Sequence, residues 1–218
     1  SDVYKRQVMS RENYDDPWWT PLPFTLPMPK KKIALLKKIE GLKIDPIISA
    51  ELDIVAKRLE DSGWAIEEPK APNFQEAAKF QATLWLGEFR RTGGEAITKE
   101  NDPDSNFIYS QMSRRCPDTS LEKFMDSLQQ RARISREWNK FFDQYPIILC
   151  PITGDIPFPD LKDLESEESF DLVFDSMLPQ IAPPYMGLPG LSFATSQTKQ
   201  NIPLGVQFIS RKFREDLL

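Results

Sequence analysis

The side chains able to act as nucleophiles or proton carriers form a restricted set. None of the 218 residues is a histidine, so Ser-His-Asp and Cys-His catalysis and His-ligated zinc are excluded at the outset. Serines, lysines, carboxylates and two cysteines remain. Cys116 and Cys150 have no CxxC or zinc-like spacing, which predicts free thiols in a reducing compartment. There is no Ser-Ser pair and no GxSxG elbow. Gly93-Gly94 lacks the spaced glycines and the Lys-Ser/Thr of a phosphate-binding loop, and no GxGxxG occurs. Residues 160–175 gather Asp160, Asp163, Glu165, Glu167, Glu168, Asp171 and Asp175 around a single lysine, Lys162. A metal site needs carboxylates fixed at ligand spacing, so the expected reading is a solvated acidic segment. Neither a metal nor a cofactor is expected.

With 28 Lys+Arg against 33 Asp+Glu the net charge is −5, whereas binding to phosphate backbones needs a concentrated basic face; no nucleic-acid partner is expected. The densest basic run, Lys30, Lys31, Lys32, Lys37 and Lys38, reads as a solvated flank of a strand. At 40% hydrophobic and 28% charged residues the chain has the composition of a globular protein. No window approaches the roughly 20 apolar residues of a membrane span, so no membrane association and a cytoplasmic location are expected. The 19 prolines outnumber the 9 glycines and act as punctuation.

These residues must be positioned by elements that the pattern places in order. Asp15 to Pro23 is too proline-rich for a helix or interior strand and is expected to run as a loop, with Trp18 and Trp19 packed on a neighbouring surface. Ile33–Leu36 is a short apolar run. Asp45-Pro46 is an N-cap followed by proline at the first helical position, and Ile48, Leu52, Val55 and Leu59 recur at helical spacing up to Gly63, where a left-handed residue would close the helix. Trp64–Glu67 reads as a second strand. Strand, helix and strand make a parallel βαβ unit, hence an α/β fold. Asn73 with Glu76 predicts a capping box for a helix ending near Gly93-Gly94, and Thr119 with Glu122 predicts another. The latter opens a long helix with Leu121, Phe124, Met125, Leu128, Ala132, Ser135, Trp138 and Phe142 on one stripe. Between them, polar and punctuated Thr98–Pro117 reads as a loop with at most a short helical turn. Ile147–Cys150, stopped by Pro151, reads as a buried parallel strand. Pro183-Pro184 and Gly187–Gly190 read as a turn, and Pro203–Ile209 as a last strand. Ile152 and Thr153, just past a strand's C-terminal end where α/β sheets place ligands, are pocket candidates.

The ordered set Asp16-Pro17-Trp18, Lys32-Ile33-Ala34, Asp45-Pro46, Trp64–Glu68, Arg133–Phe142 with Tyr145–Pro151, Gly187–Ser192 and Pro203–Arg211 resembles the C-terminal half of the amidase signature family. The resemblance covers nearly all of residues 8–218. It implies a layered α/β/α fold with a mixed sheet flanked by helices, incomplete in this chain, and hydrolysis of a small-molecule carboxamide to acid and amine or ammonia. The family's paired serines and lysine base belong to its N-terminal half, so no catalytic residue is expected here. The chain alone is expected to be inactive and to need that half as its partner. A homodimeric parent stays open. The family often has Asn and Thr where this chain has Pro184 and Met186, which leaves Tyr185, Met186 and Gly187 as candidate pocket contacts. Residues 1–7 fall outside the match and are expected to be a non-native or disordered remnant, with 8–218 the C-terminal portion of one domain. Two alternatives remain: a non-catalytic binding or scaffolding protein, and part of the A chain of a glutamyl-tRNA amidotransferase.

Overall fold

The computed structural model describes residues 8–9, 11–21 and 26–218; the expected remnant at 1–7 lies outside them. Five strands form one mixed sheet in the order β2-β1-β3-β5-β4: β1 (Lys32–Leu35), β2 (Ala65–Glu67), β3 (Ile147–Pro151), β4 (Gly190–Gln197) and β5 (Pro203–Ser210). β1 pairs parallel with both β2 and β3, while β5 runs antiparallel to β3 and to β4.

Alternate strand residues point to opposite faces, and this divides the core in two. Ala34, Ile148, Cys150 and Ile209 face one apolar layer, completed by Phe74, Trp138, Phe142 and Tyr185 from α2 (Phe74–Thr92), α5 (Leu121–Gln144) and α7 (Leu178–Met186). Ile33, Leu35, Ile147, Leu149 and Val206 face the other, covered by Leu52, Val55 and Ala56 of α1 (Pro46–Asp61). The result is the α/β/α layering that the resemblance implies. α1 begins as expected, with the Asp45 carboxylate accepting from the Ile47 amide at 2.7 Å, and Gly63 follows its end at φ +85°. Asn73 caps α2 by accepting from Glu76 N at 2.9 Å.

Several expectations are corrected. Thr98–Pro117 is largely helical: α3 (Gly94–Glu100) closes on left-handed Asn101, and α4 (Pro103–Arg115) opens on Asp102, whose side chain accepts from Ser105 N at 2.8 Å. The Asp102-Pro103 signal is the same as Asp45-Pro46, but α4 buries no residue, so no apolar periodicity drew attention to it. The cap of α5 is Ser120, accepting from Lys123 N, and not Thr119. Of the predicted α5 stripe, Trp138 and Phe142 are buried but Leu121, Met125 and Leu128 are exposed. Trp18 is 88% exposed, so its ring is not packed on a neighbouring surface among the described residues. After β5 the chain makes a 3-10 turn at Glu215–Leu217.

The largest surprise is Pro183-Pro184 inside α7. Proline has no amide hydrogen, so Pro183 leaves the carbonyl of Pro179, one turn earlier, without its helical partner. The buried amide of Gln207 on β5 supplies the missing donor at 3.1 Å. A buried carbonyl stripped of its only donor costs about 1–3 kcal/mol. Gln207→Leu is therefore expected to destabilise the protein by about that amount in urea unfolding, and by clearly less in a Pro183→Ala background, where the restored amide can serve Pro179. Equal losses in both backgrounds would refute this account.

α4 is held at both ends by carboxylates. Arg114 and Arg115 grip Asp171 of α6 (Glu167–Ser176), at 2.5 and 2.7 Å, and Arg115 also pairs with Asp175. Partial burial pushes the Asp171 carboxyl up, but hydrogen bonds from Arg115 and Arg114 outweigh this and hold it below its ordinary 3.8. The Ser105 amide likewise lowers Asp102. Groups depressed in the folded state stabilise fully above the unfolded value and lose that contribution as pH falls through the lower folded one. Below 3.8, hydrogen exchange corrected for intrinsic rate is expected to show α4 losing protection before β3; simultaneous loss would count against this latch.

Candidate substrate pocket

The C-terminal end of β3 is built around Gly154. Its amide donates to the Ser176 carbonyl and its carbonyl accepts from the Asp45 amide, both at 2.8 Å. One residue thus ties the strand end to the start of α1 and the end of α6. A Cβ there would stand 2.3 Å from the Lys43 carbonyl oxygen, so only glycine fits without moving backbone. Thr153 Oγ1 donates to the Asp155 carbonyl at 2.7 Å, and Gln180 Nε2 of α7 donates to the Ile152 carbonyl at 3.2 Å. Ile152 and Thr153 are half-buried on this fixed turn.

The other three candidates stand elsewhere. α7 starts beside Ile152 and runs down the sheet to Gly187, a left-handed C-cap next to Pro189, whose carbonyl accepts from the amide of Ser210. Ser210 pairs with Ile147, the first residue of β3, so Gly187 lies toward the opposite end of the strands from Ile152. Tyr185 and Met186 are buried between these ends. The Tyr185 hydroxyl donates to the Ser127 carbonyl, its ring stacks on Phe80 at 5.7 Å, and burial pushes it up to about 12. Within this chain the five candidates therefore do not converge on one cavity.

A cavity of about 870 Å3 does open on the α2, α5 and α7 side of the sheet, near Gly41 in the connection after β1 and Leu178 and Ile181 in the first half of α7. Its wall mixes Phe80 and Phe174 with Thr83 and Arg115. The sequence reading missed it because its lining comes from helices assigned by other signals and from the unrecognised α4.

Among the described residues, the thiol and the lysines with displaced titration are not poised to carry protons. Burial pushes the Cys150 thiol up to about 12, which makes it inert as a nucleophile. Lys32 is raised by its hydrogen bond to Glu67, and Lys37 by those to Asp53 and Glu68, whereas a lysine base must be lowered. Serine hydroxyls bond to carbonyls or to carboxylate and amide side chains: Ser62 to Arg58 O, Ser127 to Lys123 O, Ser196 to Glu51. Among the described residues no group of three or more His, Cys, Asp or Glu is disposed to hold a metal. No helix among them is long and apolar enough to cross a membrane.

Relatives place this architecture. An indoleacetamide hydrolase of Bradyrhizobium diazoefficiens is 28% identical over 214 residues, 97% of this chain but 41% of that protein. The A chain of the glutamyl-tRNA(Gln) amidotransferase of Treponema denticola is 32% identical over 90 residues, 41% of this chain and 18% of that protein. In three dimensions, 6-aminohexanoate cyclic dimer hydrolase superposes with a TM-score of 0.73 at 13% identity, covering 95% of this chain and 48% of that one. The chain spans less than half the length of the curated relatives it matches. The sequence pattern of the amidase family matches residues 27–218, and with the mixed sheet and flanking helices in place the chain belongs to that family.

Proposed function

We propose that this chain is the C-terminal part of an amidase that hydrolyses a carboxamide C–N bond, with the nucleophile and base supplied by a preceding half of the same domain. The observation that carries this reading is the family match over residues 27–218 in a chain that covers only 41% of an indoleacetamide hydrolase. Two surfaces support it. β4 is an edge strand with seven of its eight residues exposed, Leu191 and Phe193 among them. Leu121, Met125 and Leu128 make an uncovered apolar row on α5. Exposed apolar rows and an open sheet edge are what a layered domain leaves when part of it is missing.

The contribution of this chain is then structural and selective. Ile152 and Thr153, held by Gly154, form its share of the substrate wall at the strand end; Tyr185 and Met186 back the wall from the core, and Gly187 ends the helix that supports it. The small-molecule amide is the partner, along with the preceding half, in a cytoplasmic enzyme without cofactor. The A chain of a glutamyl-tRNA amidotransferase is the second reading, favoured by the 32% identity over 90 residues.

The isolated 218 residues are expected to release no indoleacetate from indole-3-acetamide and no ammonia from glutamine above a protein-free blank. The chain extended by its upstream coding sequence is expected to hydrolyse a simple amide. Turnover by the isolated chain that survives purification would sink the claim that the catalytic set lies outside it. Glutamine as the preferred substrate of the extended protein would select the amidotransferase.

A further inference from the structure

A second cavity lies between α2, α4 and the turn at Leu161–Leu164, separate from the strand end at Ile152. It encloses about 690 Å3, the size of a small-molecule site. Trp85 and Phe89, four residues apart on α2, present their rings on one helix face. Tyr109 of α4 meets Phe89 edge to face at 5.6 Å between centroids, and Ile108 and Met112 complete the apolar wall. Trp85 and Phe89 remain 45% and 38% exposed.

The local backbone is shaped around these rings. A Cβ at Gly93 would fall 2.5 Å from the Phe89 ring, and one at Gly94 would fall 2.6 Å from the Tyr109 hydroxyl. The glycine pair, which in the sequence only marked a helix end, lets α3 start tight against both aromatics. Across the cavity, Leu161 adopts φ +57° with its side chain in the opening, a conformation that a residue with a Cβ takes at a cost.

The charge at this opening is one-sided. Glu88, Asp104 and Asp163 all line it. Nearby acids are neutralised: Glu167, Asp171 and Asp175 by Arg114 and Arg115, and Glu165 by Lys162. None of the three lining carboxylates has a cationic partner among the described residues. Aromatic faces and unpaired carboxylates favour the same ligand charge, since a ring's negative face attracts a cation. An anion would be repelled, and a neutral molecule would leave the carboxylates uncompensated.

We propose that this cavity binds a protonated organic amine, its aryl or alkyl arm against Trp85, Phe89 and Met112 and its ammonium among Glu88, Asp104 and Asp163. This site stands independently of the amidase reading, because it requires binding and no turnover.

The test titrates phenethylammonium, phenylacetate and 2-phenylethanol into the 218-residue chain, following tryptophan fluorescence, with Trp85→Phe identifying the reporter. The cation is expected to bind about tenfold or more tighter than the anion, with the difference shrinking as salt is added. The doubly neutralised variant Glu88→Gln with Asp163→Asn is expected to lose most of that preference while its affinity for 2-phenylethanol stays unchanged. Equal affinity for cation and anion, an undiminished response in Trp85→Phe, or no saturable response up to about 10 mM ligand would each overturn the proposal. So would a preference that survives neutralisation in a variant with unchanged circular dichroism.

Discussion

The structure depends on the backbone pairing of β3. Ile147–Pro151 is hydrogen-bonded on one side to a parallel neighbour and on the other to an antiparallel one, and every residue in it is buried. Removing its polar groups from water is tolerable only because both flanking strands take up the bonds. The pleat of this strand then creates the two apolar layers, with Ile148 and Cys150 on one side and Ile147 and Leu149 on the other. Its exit is fixed by backbone as well. Gly154 reaches the Asp45 amide and the Ser176 carbonyl at once, so the start of α1 and the junction before α7 are set by where β3 ends.

Polar groups drawn into these layers are paired with the same economy. Gln207 serves the carbonyl that Pro183 orphans, Glu51 of α1 accepts from Ser196 of β4 at 2.8 Å, and Tyr185 reaches the Ser127 carbonyl. Among the described residues no buried side-chain nitrogen or oxygen lacks a partner. A buried polar atom without a partner costs more than a made hydrogen bond returns, so these cross-element bonds act chiefly to exclude other packings. They connect α7 to β5, α1 to β4 and α5 to α7, the elements whose register local sequence leaves least determined.

How far the sequence revealed this follows from where the information resides. The strands β1 and β3 and the helices α1 and α2 carry local signatures: a buried apolar run, or a cap with a 3.6-residue stripe behind it. They were legible for that reason. α4 was not, because it buries no residue and its ion pairs reach residues 56 to 60 positions away, which leave no local period. α7 read as a turn because two prolines outweigh local helical propensity, and their compensation sits on a strand more than twenty residues later. Tyr185 and Met186 drew attention next to a glycine turn, yet the helix that places them was invisible locally. The aromatic cavity was missed for a related reason: Trp85 and Phe89 fit a core stripe as well as a binding wall, and only the third dimension shows that both stay partly open to solvent.

Fold neighbours at 13% and 15% identity speak to architecture; chemistry has to be argued from groups that can move protons. A hydroxyl nucleophile needs a neighbouring base to take its proton, and a lysine can be that base only if its own affinity for protons is reduced toward neutrality. The described lysines with displaced titration, Lys32, Lys37 and Lys57, all move the other way, because each has carboxylates beside it. The buried thiol is silenced by the same desolvation that makes it a good core residue. Among the described residues, these lysines therefore act as fixed charges paired with carboxylates, and the thiol as a core group.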